Sequence, residues 1–249
     1  MKIGIIIQAR IGSTRLPNKV MLELSGKKIL WHVVERCKKT GNEVIVATST
    51  NKENDAIENF CRENNYLCFR GSEDDVLNRY YEAAKKYKLD YIIRITADDP
   101  LISPEVINQL IENHLREKAD YFSNTLTRTF PRGLDVEMFS FKTLEKANAL
   151  AKTKPEREHV TSFIYNHPEM FKIGSMTAEG KLNRPGFRLC IDTEKDFKLL
   201  KIIYEFFYKN NIISIQEVID FLDKNPELAE MNKESEIEQL KRNINGNIK

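Results

Sequence analysis

The chain is poor in the residues that mark several large classes of protein. Only four of its 249 residues are cysteines, and no two of them form a Cys-x-x-Cys pair. Such usage favours buried, reduced thiols in a cytoplasmic protein over a disulfide framework, although a bridge between Cys61 and Cys68 is conceivable. No apolar run is long enough to cross a bilayer, and the N-terminus lacks the ordered regions of a signal peptide, so we expect neither a membrane span nor a targeting segment.

An excess of one charge is also missing. Thirty-nine lysines and arginines face thirty-seven acidic residues, which leaves a net charge of +2. That value is too small to indicate a nucleic-acid partner. A hydrophobic share of 41% is typical of a folded globular protein, and the length suits one large α/β domain or two small ones.

Short apolar runs alternate with amphipathic stretches through the first half. The predicted strands are residues 2–7, 43–48, 66–70 and 91–95, and the predicted helices between and after them are residues 27–39, 53–64, 73–87 and 104–118. Alternation of this kind predicts an α/β fold with a Rossmann-like, mostly parallel sheet, right-handed crossovers and helices on both faces.

The second half is less regular. It predicts strands at 135–141, 171–176 and 187–191, and helices at 141–151, 156–166, 194–208 and 214–223. No linker marks a second domain, so residues 1–225 are expected to form one domain. Residues 226–249 are polar and have no clear apolar stripe, which predicts a loosely held C-terminal tail.

The loop "QARIGSTRLPNK" directly follows the first strand. Arg10, Arg15 and Lys19 supply positive charge, Gly12 allows close backbone approach and Ser13 adds a hydroxyl, a combination that suits several phosphates. The pattern is neither the P-loop G-x-x-x-x-G-K-S/T nor the dinucleotide-binding G-x-G-x-x-G. A structural turn with solvated cations remains the alternative.

Three acidic residues follow two predicted strands later in the chain. Asp98 and Asp99 come after the fourth strand and before Pro100, and Asp192 comes between residues 187–191 and a helix. Carboxylates at the carboxyl edge of a sheet, facing a cationic loop, suit a Mg²⁺ ion that also binds phosphate. The alternatives are an Asx turn or a helix N-cap at Asp98 and Asp99, and a helix N-cap at Asp192.

These stretches carry a family resemblance. The segments "QARIGSTRLPNK", "RITADDPLI" and "IDTEKDF" resemble the cytidylyltransferases that include CMP-KDO synthetase and acylneuraminate cytidylyltransferase. The segments "RGSEDDVLNRYYEAA", "RGLDVEMFSF" and "EREHVT" are similar to the branch named for the spore coat polysaccharide biosynthesis protein SpsF. The resemblance extends over about residues 1–207. It implies a nucleotide-diphospho-sugar transferase fold of the glycosyltransferase-A type.

The resemblance also implies roles for matching positions. Residues expected to bind CTP are Gln8, Ala9, Arg10, Gly12, Ser13, Arg15, Lys19, Ser72 and Asp98. Within this set, Arg15, Lys19 and Asp98 are expected to be catalytic. The implied cofactor is Mg²⁺, held by Asp98 and Asp192.

The acceptor is expected over roughly residues 120–180, within the 1–225 nucleotidyltransferase domain. Candidate acceptor-binding residues are Arg132, Asp135, Glu137, Glu158 and His159, which combine cations for a carboxylate with acceptors for hydroxyls. For Arg132 and His159 the alternatives are a loop residue exposing its charge and an ordinary helix histidine.

The function implied by the resemblance is transfer of CMP from CTP to an acidic sugar, with release of pyrophosphate, for a surface polysaccharide or glycoconjugate. A phosphate or phosphonate acceptor is the alternative within this enzyme class, and a non-catalytic nucleotide-binding protein of the same fold is the alternative outside it. The expected partners are CTP and a small-molecule acceptor, without nucleic acid or membrane. The related synthetases also imply a homodimer.

Overall fold

The isoleucines at positions 5, 6 and 7 are all fully buried, because the strand that contains them is covered on both faces. A computed structural model describes residues 1–233 of the chain. Its strands are β1 (Ile3–Gln8), β2 (Glu23–Leu24), β3 (Lys27–Lys28), β4 (Glu43–Ser49), β5 (Leu67–Gly71), β6 (Tyr91–Thr96), β7 (Tyr121–Ser123), β8 (Glu137–Ser140) and β9 (Ile173–Ser175). Its helices are α1 (Ile29–Lys38), α2 (Asp55–Glu63), α3 (Val76–Lys86), α4 (Pro104–Glu117), α5 (Phe141–Leu150), α6 (Lys154–Glu158), α7 (Ser162–Tyr165), α8 (Glu194–Phe207), α9 (Ile215–Lys224) and α10 (Pro226–Glu230).

Seven strands form one mostly parallel sheet in the order β5-β4-β1-β6-β8-β7-β9. The four strands of the first half are parallel, with β1 between β4 and β6. Strand β8 runs antiparallel to both β6 and β7, and β9 is parallel to β7. This architecture confirms the predicted α/β fold, and it places the ends of β1 and β6 side by side.

Alternating side chains on the sheet divide the core between its two faces. Ile5 and Ile7 pack with α1, α2 and α4, whereas Ile6 packs with α3 and α5. A third cluster joins the β2–β3 hairpin, α8 and α9. The strands of the first half therefore read as continuous apolar runs, which is why the sequence predicted them well.

The second half departs from the predictions where local pattern competes with tertiary contacts. The predicted helix 156–166 is two short helices, α6 and α7, and Val160 between them has φ of 23°. Residues 187–191 are not a strand of the main sheet; they form only an isolated bridge between Arg132 and Arg188. The β2–β3 hairpin and β7 were not predicted, because strands of only two or three residues are too short to show an alternating apolar pattern.

The expectation of a loosely held tail is wrong for residues 226–233. Residues 226–230 form α10, Ala229 is buried, and the side chain of Asn232 is fully buried. The rest of the predicted tail, residues 234–249, lies outside the described residues.

All four cysteines are free thiols, so the Cys61–Cys68 bridge is not formed. Among residues 1–233, no helix is both long enough and apolar enough to cross a membrane.

Candidate active site

The loop after β1 folds tightly around one carbonyl. The backbone N–H groups of Ser13 and Asn18 both donate to the oxygen of Ile11, at 2.8 and 3.3 Å. Asn18 adopts the left-handed conformation (φ 57°), which asparagine tolerates better than most residues. Lys19 then begins a short 3-10 turn, and its side chain is only 12% exposed. The loop thus turns Lys19 inward rather than leaving it in solvent.

Lys19 joins the two carboxylates that the sequence singled out. Its Nζ lies 2.5 Å from Asp98 Oδ2 and 2.8 Å from Asp192 Oδ1. Because both oxygens contact one nitrogen, they can be no farther apart than the sum of these distances. Burial works to lower the pKa of Lys19, but the two carboxylates outweigh it and raise that pKa above its ordinary value.

Asp192 reaches this position by a route that the sequence did not predict. Residues 187–191 cross the end of the sheet beside the loop that contains Arg132. The N–H of Arg132 donates to Phe187 O, that of Leu189 donates to Arg132 O, and that of Ile191 donates to Asp98 O, at 2.7–2.9 Å. The last bond places Asp192 directly beside Asp98.

Gly133 permits this close approach. Its φ is +97°, and a Cβ on it would lie 2.6 Å from the carbonyl carbon of Leu189 and 2.7 Å from the backbone nitrogen of Cys190. Both the conformation and the space therefore require glycine here.

Asp192 is surrounded by cations rather than used as a helix cap. Oδ1 also lies 3.0 Å from Arg15, and Oδ2 lies 2.6 Å from Arg188. Although burial opposes it, the charges and hydrogen bond of Lys19, together with Arg15 and Arg188, lower the pKa of Asp192 to about 2. The N-cap of α8 is Thr193, which forms a capping box with Asp196, so the capping alternative for Asp192 is wrong.

Asp99 differs sharply from its neighbour Asp98. It is buried and accepts a hydrogen bond from the Thr96 hydroxyl at 2.6 Å. Burial, with Asp98 and Asp135 nearby, raises the pKa of Asp99 well above its ordinary value. Its role is thus to brace the turn after β6.

A cavity of about 260 Å³ opens above Lys19. It is lined by Gln8, Arg10, Gly12, Ser13, Thr14, Arg15, Lys19, Val20, Thr96, Ala97, Asp98 and Asp192. Of the residues expected to bind CTP, the structure leaves two out of this wall. Ala9 packs in the core, and Ser72 is exposed at the turn before α3, where it accepts from the N–H of Asp75.

A second cavity, of about 150 Å³, adjoins the first. It is lined by Thr96, Asp98, Asp99, Arg132, Gly133, Asp135, Arg188, Cys190 and Asp192. Thr96, Asp98 and Asp192 belong to both walls, so the two carboxylates lie where the cavities meet. Arg132 and Asp135 of the acceptor candidates are present here, and Asp135 pairs with both terminal nitrogens of Arg128.

The other acceptor candidates do not line either cavity. Glu137 is buried between Arg94 (3.1 Å) and the hydroxyl of Thr161 (2.8 Å). Glu158 ends α6, and His159 follows it with an exposed side chain. Of the five acceptor candidates, Arg132 and Asp135 are therefore the two that line a described cavity.

The donor set fits a divalent cation bound jointly with phosphate. No group of three or more His, Cys, Asp or Glu side chains within residues 1–233 is arranged to hold a metal alone. Asp98 and Asp192 already share one cationic group, the Lys19 ammonium, at the junction of the cavities. Mg²⁺ commonly uses one or two carboxylates and completes its shell with substrate phosphates and water.

Sequence reasoning missed the residues behind Asp192. Arg188 and Asp196 are almost fully buried, and Asn232 reaches them from the C-terminal segment. The spacing Thr193-x-x-Asp196 could have indicated the capping box, but no local signal indicates Arg188 or Asn232.

The family model described as cytidylyltransferase matches residues 4–233. The chain belongs to the cytidylyltransferase family. This membership makes it a nucleotidyltransferase enzyme and confirms the resemblance seen in its motifs.

The chain is also similar to individual proteins over most of its length. The chain is 47% identical to an uncharacterized protein of Methanocaldococcus jannaschii, over 93% of the chain and 95% of that protein. It is 32% identical to the spore coat polysaccharide biosynthesis protein SpsF of Bacillus subtilis, over 90% of the chain and 95% of that protein. The structure of a cytidylyltransferase from Leptospira borgpetersenii superposes with a TM-score of 0.86 at 35% identity, over 92% of this chain and 97% of that one.

Proposed function

We propose that this cytidylyltransferase transfers CMP from CTP to an acidic sugar and releases pyrophosphate, in the biosynthesis of a surface polysaccharide or glycoconjugate. The observation that carries the proposal is the pair Asp98 and Asp192, held by Lys19 at the junction of two cavities. One cavity is rich in loop cations and suits a triphosphate. The other offers Arg132 and Asp135 for an acceptor.

In the proposed reaction, an acceptor oxygen attacks the α-phosphorus of CTP in line with the departing pyrophosphate. A transfer of this kind depends mainly on positioning and on neutralising charge. Arg15 and Lys19 would exchange their contacts with the carboxylates for contacts with the phosphates. Arg10 and Ser13 would hold the outer phosphates, and Gln8 would lie nearer the base.

Mg²⁺ would be held by Asp98 and Asp192. When bound, it would polarise the α-phosphate and offset the developing negative charge. The residues of the chain do the rest: Asp99 braces the turn that presents Asp98, and the backbone bond from Ile191 fixes the separation of the two carboxylates.

The acceptor class rests on the relatives and on the second cavity. Besides SpsF, the relatives include the 3-deoxy-manno-octulosonate cytidylyltransferase of Geobacter metallireducens, 36% identical over 45% of this chain and 44% of that one. Arg132 could pair with an acceptor carboxylate, and Asp135 could accept from a hydroxyl. Arginine also binds phosphate, so a phosphorylated acceptor is the competing outcome of the test.

The test is pyrophosphate release from CTP and Mg²⁺ with separate acceptors: 3-deoxy-manno-octulosonate, a sialic acid, a neutral hexose and phosphorylated alcohols. Mass spectrometry of the product identifies a CMP-sugar directly, and Asp98→Asn serves as the inactive control. Turnover with a sugar acid supports the proposal. Turnover confined to phosphorylated acceptors, or none with any sugar acid, contradicts it.

Homodimer formation and a cytoplasmic location stay predictions. Sedimentation of the purified chain tests the first.

A further inference from the structure

The two carboxylate oxygens of Asp192 have partners of different kinds. Oδ1 faces the cavity and contacts Lys19 and Arg15, which lie in the loop and would turn to phosphate in the proposed reaction. Oδ2 faces the protein and contacts Arg188 at 2.6 Å. The Arg188 side chain is part of the second cavity's wall but is only 2% exposed, so the core and not the solvent surrounds most of its guanidinium.

Arg188 is itself held by a second carboxylate, that of Asp196. Its Nε donates to Asp196 Oδ1 at 2.8 Å, so one guanidinium bridges two carboxylates. Asp196 is fully buried and also accepts from the backbone N–H groups of Asp192 and Thr193, at 3.0 and 2.9 Å. The position of Asp192 is therefore fixed through both its side chain and its backbone.

The last member of this network comes from the C-terminal segment. The side-chain amide of Asn232 is fully buried and donates to Arg188 O at 3.0 Å and to Asp196 Oδ1 at 2.9 Å. Asn232 is 36 residues beyond Asp196 in the chain, and it follows α10. The C-terminal segment that contains Asn232 has no residue in either cavity wall, yet it is linked to Asp192 through Arg188 and Asp196.

We infer that Arg188, Asp196 and Asn232 are positioning residues that hold Asp192 in place when Lys19 and Arg15 leave it for the nucleotide, and so set the requirement for divalent cation. This inference rests on the proposed function. Outer partners that orient a ligating carboxylate commonly change metal affinity by about 10–100-fold when they are replaced. Through Asn232, residues 226–233 also help to hold Asp192 in position.

The experiment measures CTP binding by calorimetry, first in EDTA and then across a Mg²⁺ titration, together with thermal unfolding. Arg188→Lys keeps the buried charge but removes the planar group that bridges both carboxylates. Asn232→Leu removes the amide and keeps the number and branching of the side-chain heavy atoms. We expect Arg188→Lys to raise the Mg²⁺ concentration for half-maximal CTP binding by about 10-fold or more, and Asn232→Leu by about threefold. CTP affinity in EDTA should change less than about twofold in both.

Lys233→Ala is the matched control, because Lys233 is the exposed neighbour of Asn232 and pairs only with Glu230 among its described contacts. It should leave the Mg²⁺ requirement unchanged. A lower unfolding temperature with an unaltered Mg²⁺ requirement, measured well below unfolding, would show a purely structural role and overturn the inference. If Asn232→Leu does not fold, Arg188→Lys decides alone. If the unmodified chain shows no Mg²⁺-dependent CTP binding, both the proposed function and the inference are overturned. If the unmodified chain binds CTP with Mg²⁺ and both variants keep its Mg²⁺ requirement, only the inference is overturned.

Discussion

Lys19 and Asp192 are 173 residues apart in the chain, yet the lysine Nζ lies 2.8 Å from the aspartate Oδ1. The same nitrogen contacts Asp98, so a single cation from the opening loop closes the site on both carboxylates. In the proposed reaction this cation is exchangeable: it pairs with both carboxylates and then turns to the phosphates of the nucleotide.

Removing either cation of the loop should weaken CTP binding. We expect Lys19→Ala or Arg15→Ala to cost roughly 1.5–3 kcal/mol, the usual value of a charge-assisted hydrogen bond, and therefore about 10- to 150-fold in affinity measured by calorimetry. Lys28→Ala is the control, since Lys28 pairs with Glu23 on the β2–β3 hairpin away from the cavity. Unchanged affinity in both loop variants would mean that the loop is only a structural turn.

Asp98→Asn should abolish most of the activity without unfolding the chain. Asparagine keeps the shape and the backbone bond from Ile191 but lacks the anionic charge that Mg²⁺ requires. Turnover should fall by orders of magnitude in the pyrophosphate assay, while the unfolding temperature stays close to that of the parent. A folded variant with near-normal turnover contradicts the assignment of Asp98 as metal ligand.

Substitutions of Asp192 and of its neighbour Thr193 should have different effects, one on metal binding and the other on helix capping. Thr193→Ala removes the N-cap of α8 and should lower the free energy of unfolding by about 1 kcal/mol, measured in urea. Asp192→Asn should instead raise the Mg²⁺ concentration needed for activity and lower the maximal rate, because one anionic ligand is gone. An Asp192→Asn enzyme with the original Mg²⁺ dependence would remove it from the metal site.

Two buried histidines should make the fold sensitive to mild acid. Burial lowers the pKa of both His32 and His114 to about 4, whereas an unfolded histidine titrates near 6.5. Between these values the unfolded state binds more protons, so the free energy of unfolding should fall as pH drops from about 6.5 to about 4, by about 3 kcal/mol for each histidine.

Urea unfolding at several pH values measures this slope. The double variant His32→Asn/His114→Phe should show a much flatter dependence than the parent, whatever its absolute stability. His159→Gln, at an exposed position, is the control and should keep the parent slope. An unchanged slope in the double variant would place the acid sensitivity elsewhere.

Gly133→Ala should damage the junction of the cavities. The substitution meets both a positive φ and backbone atoms at 2.6–2.8 Å, so we expect a loss of at least about 2 kcal/mol in unfolding free energy and a weaker acceptor interaction. Gly180→Ala offers the comparison, because its φ is +55° but nothing lies within 4 Å of the added Cβ. It should cost only about 1 kcal/mol. Equal losses in the two variants would show that close packing against Leu189 is unimportant.

Much of the fold could be predicted because its signals are local. The strands β1, β4, β5 and β6 are short apolar runs separated by amphipathic helices, and a parallel sheet follows from their order. The opening loop and Asp98 could also be placed together, since each follows a strand that ends at the same edge.

The sequence by itself determined the fold class, the family and the cationic loop, because each strand, helix and motif on which they depend is a pattern of neighbouring residues. Only the tertiary structure decided how Asp192 reaches Asp98. The sequence predicted that Asp192 lies near Asp98 because residues 187–191 were expected to be a strand of the same sheet. Residues 187–191 instead cross the edge of the sheet and are held there by backbone hydrogen bonds to Arg132 and Asp98. The network through Arg188 to Asn232 left no trace in local pattern, because a buried polar group is satisfied by partners that the folded chain brings from far away.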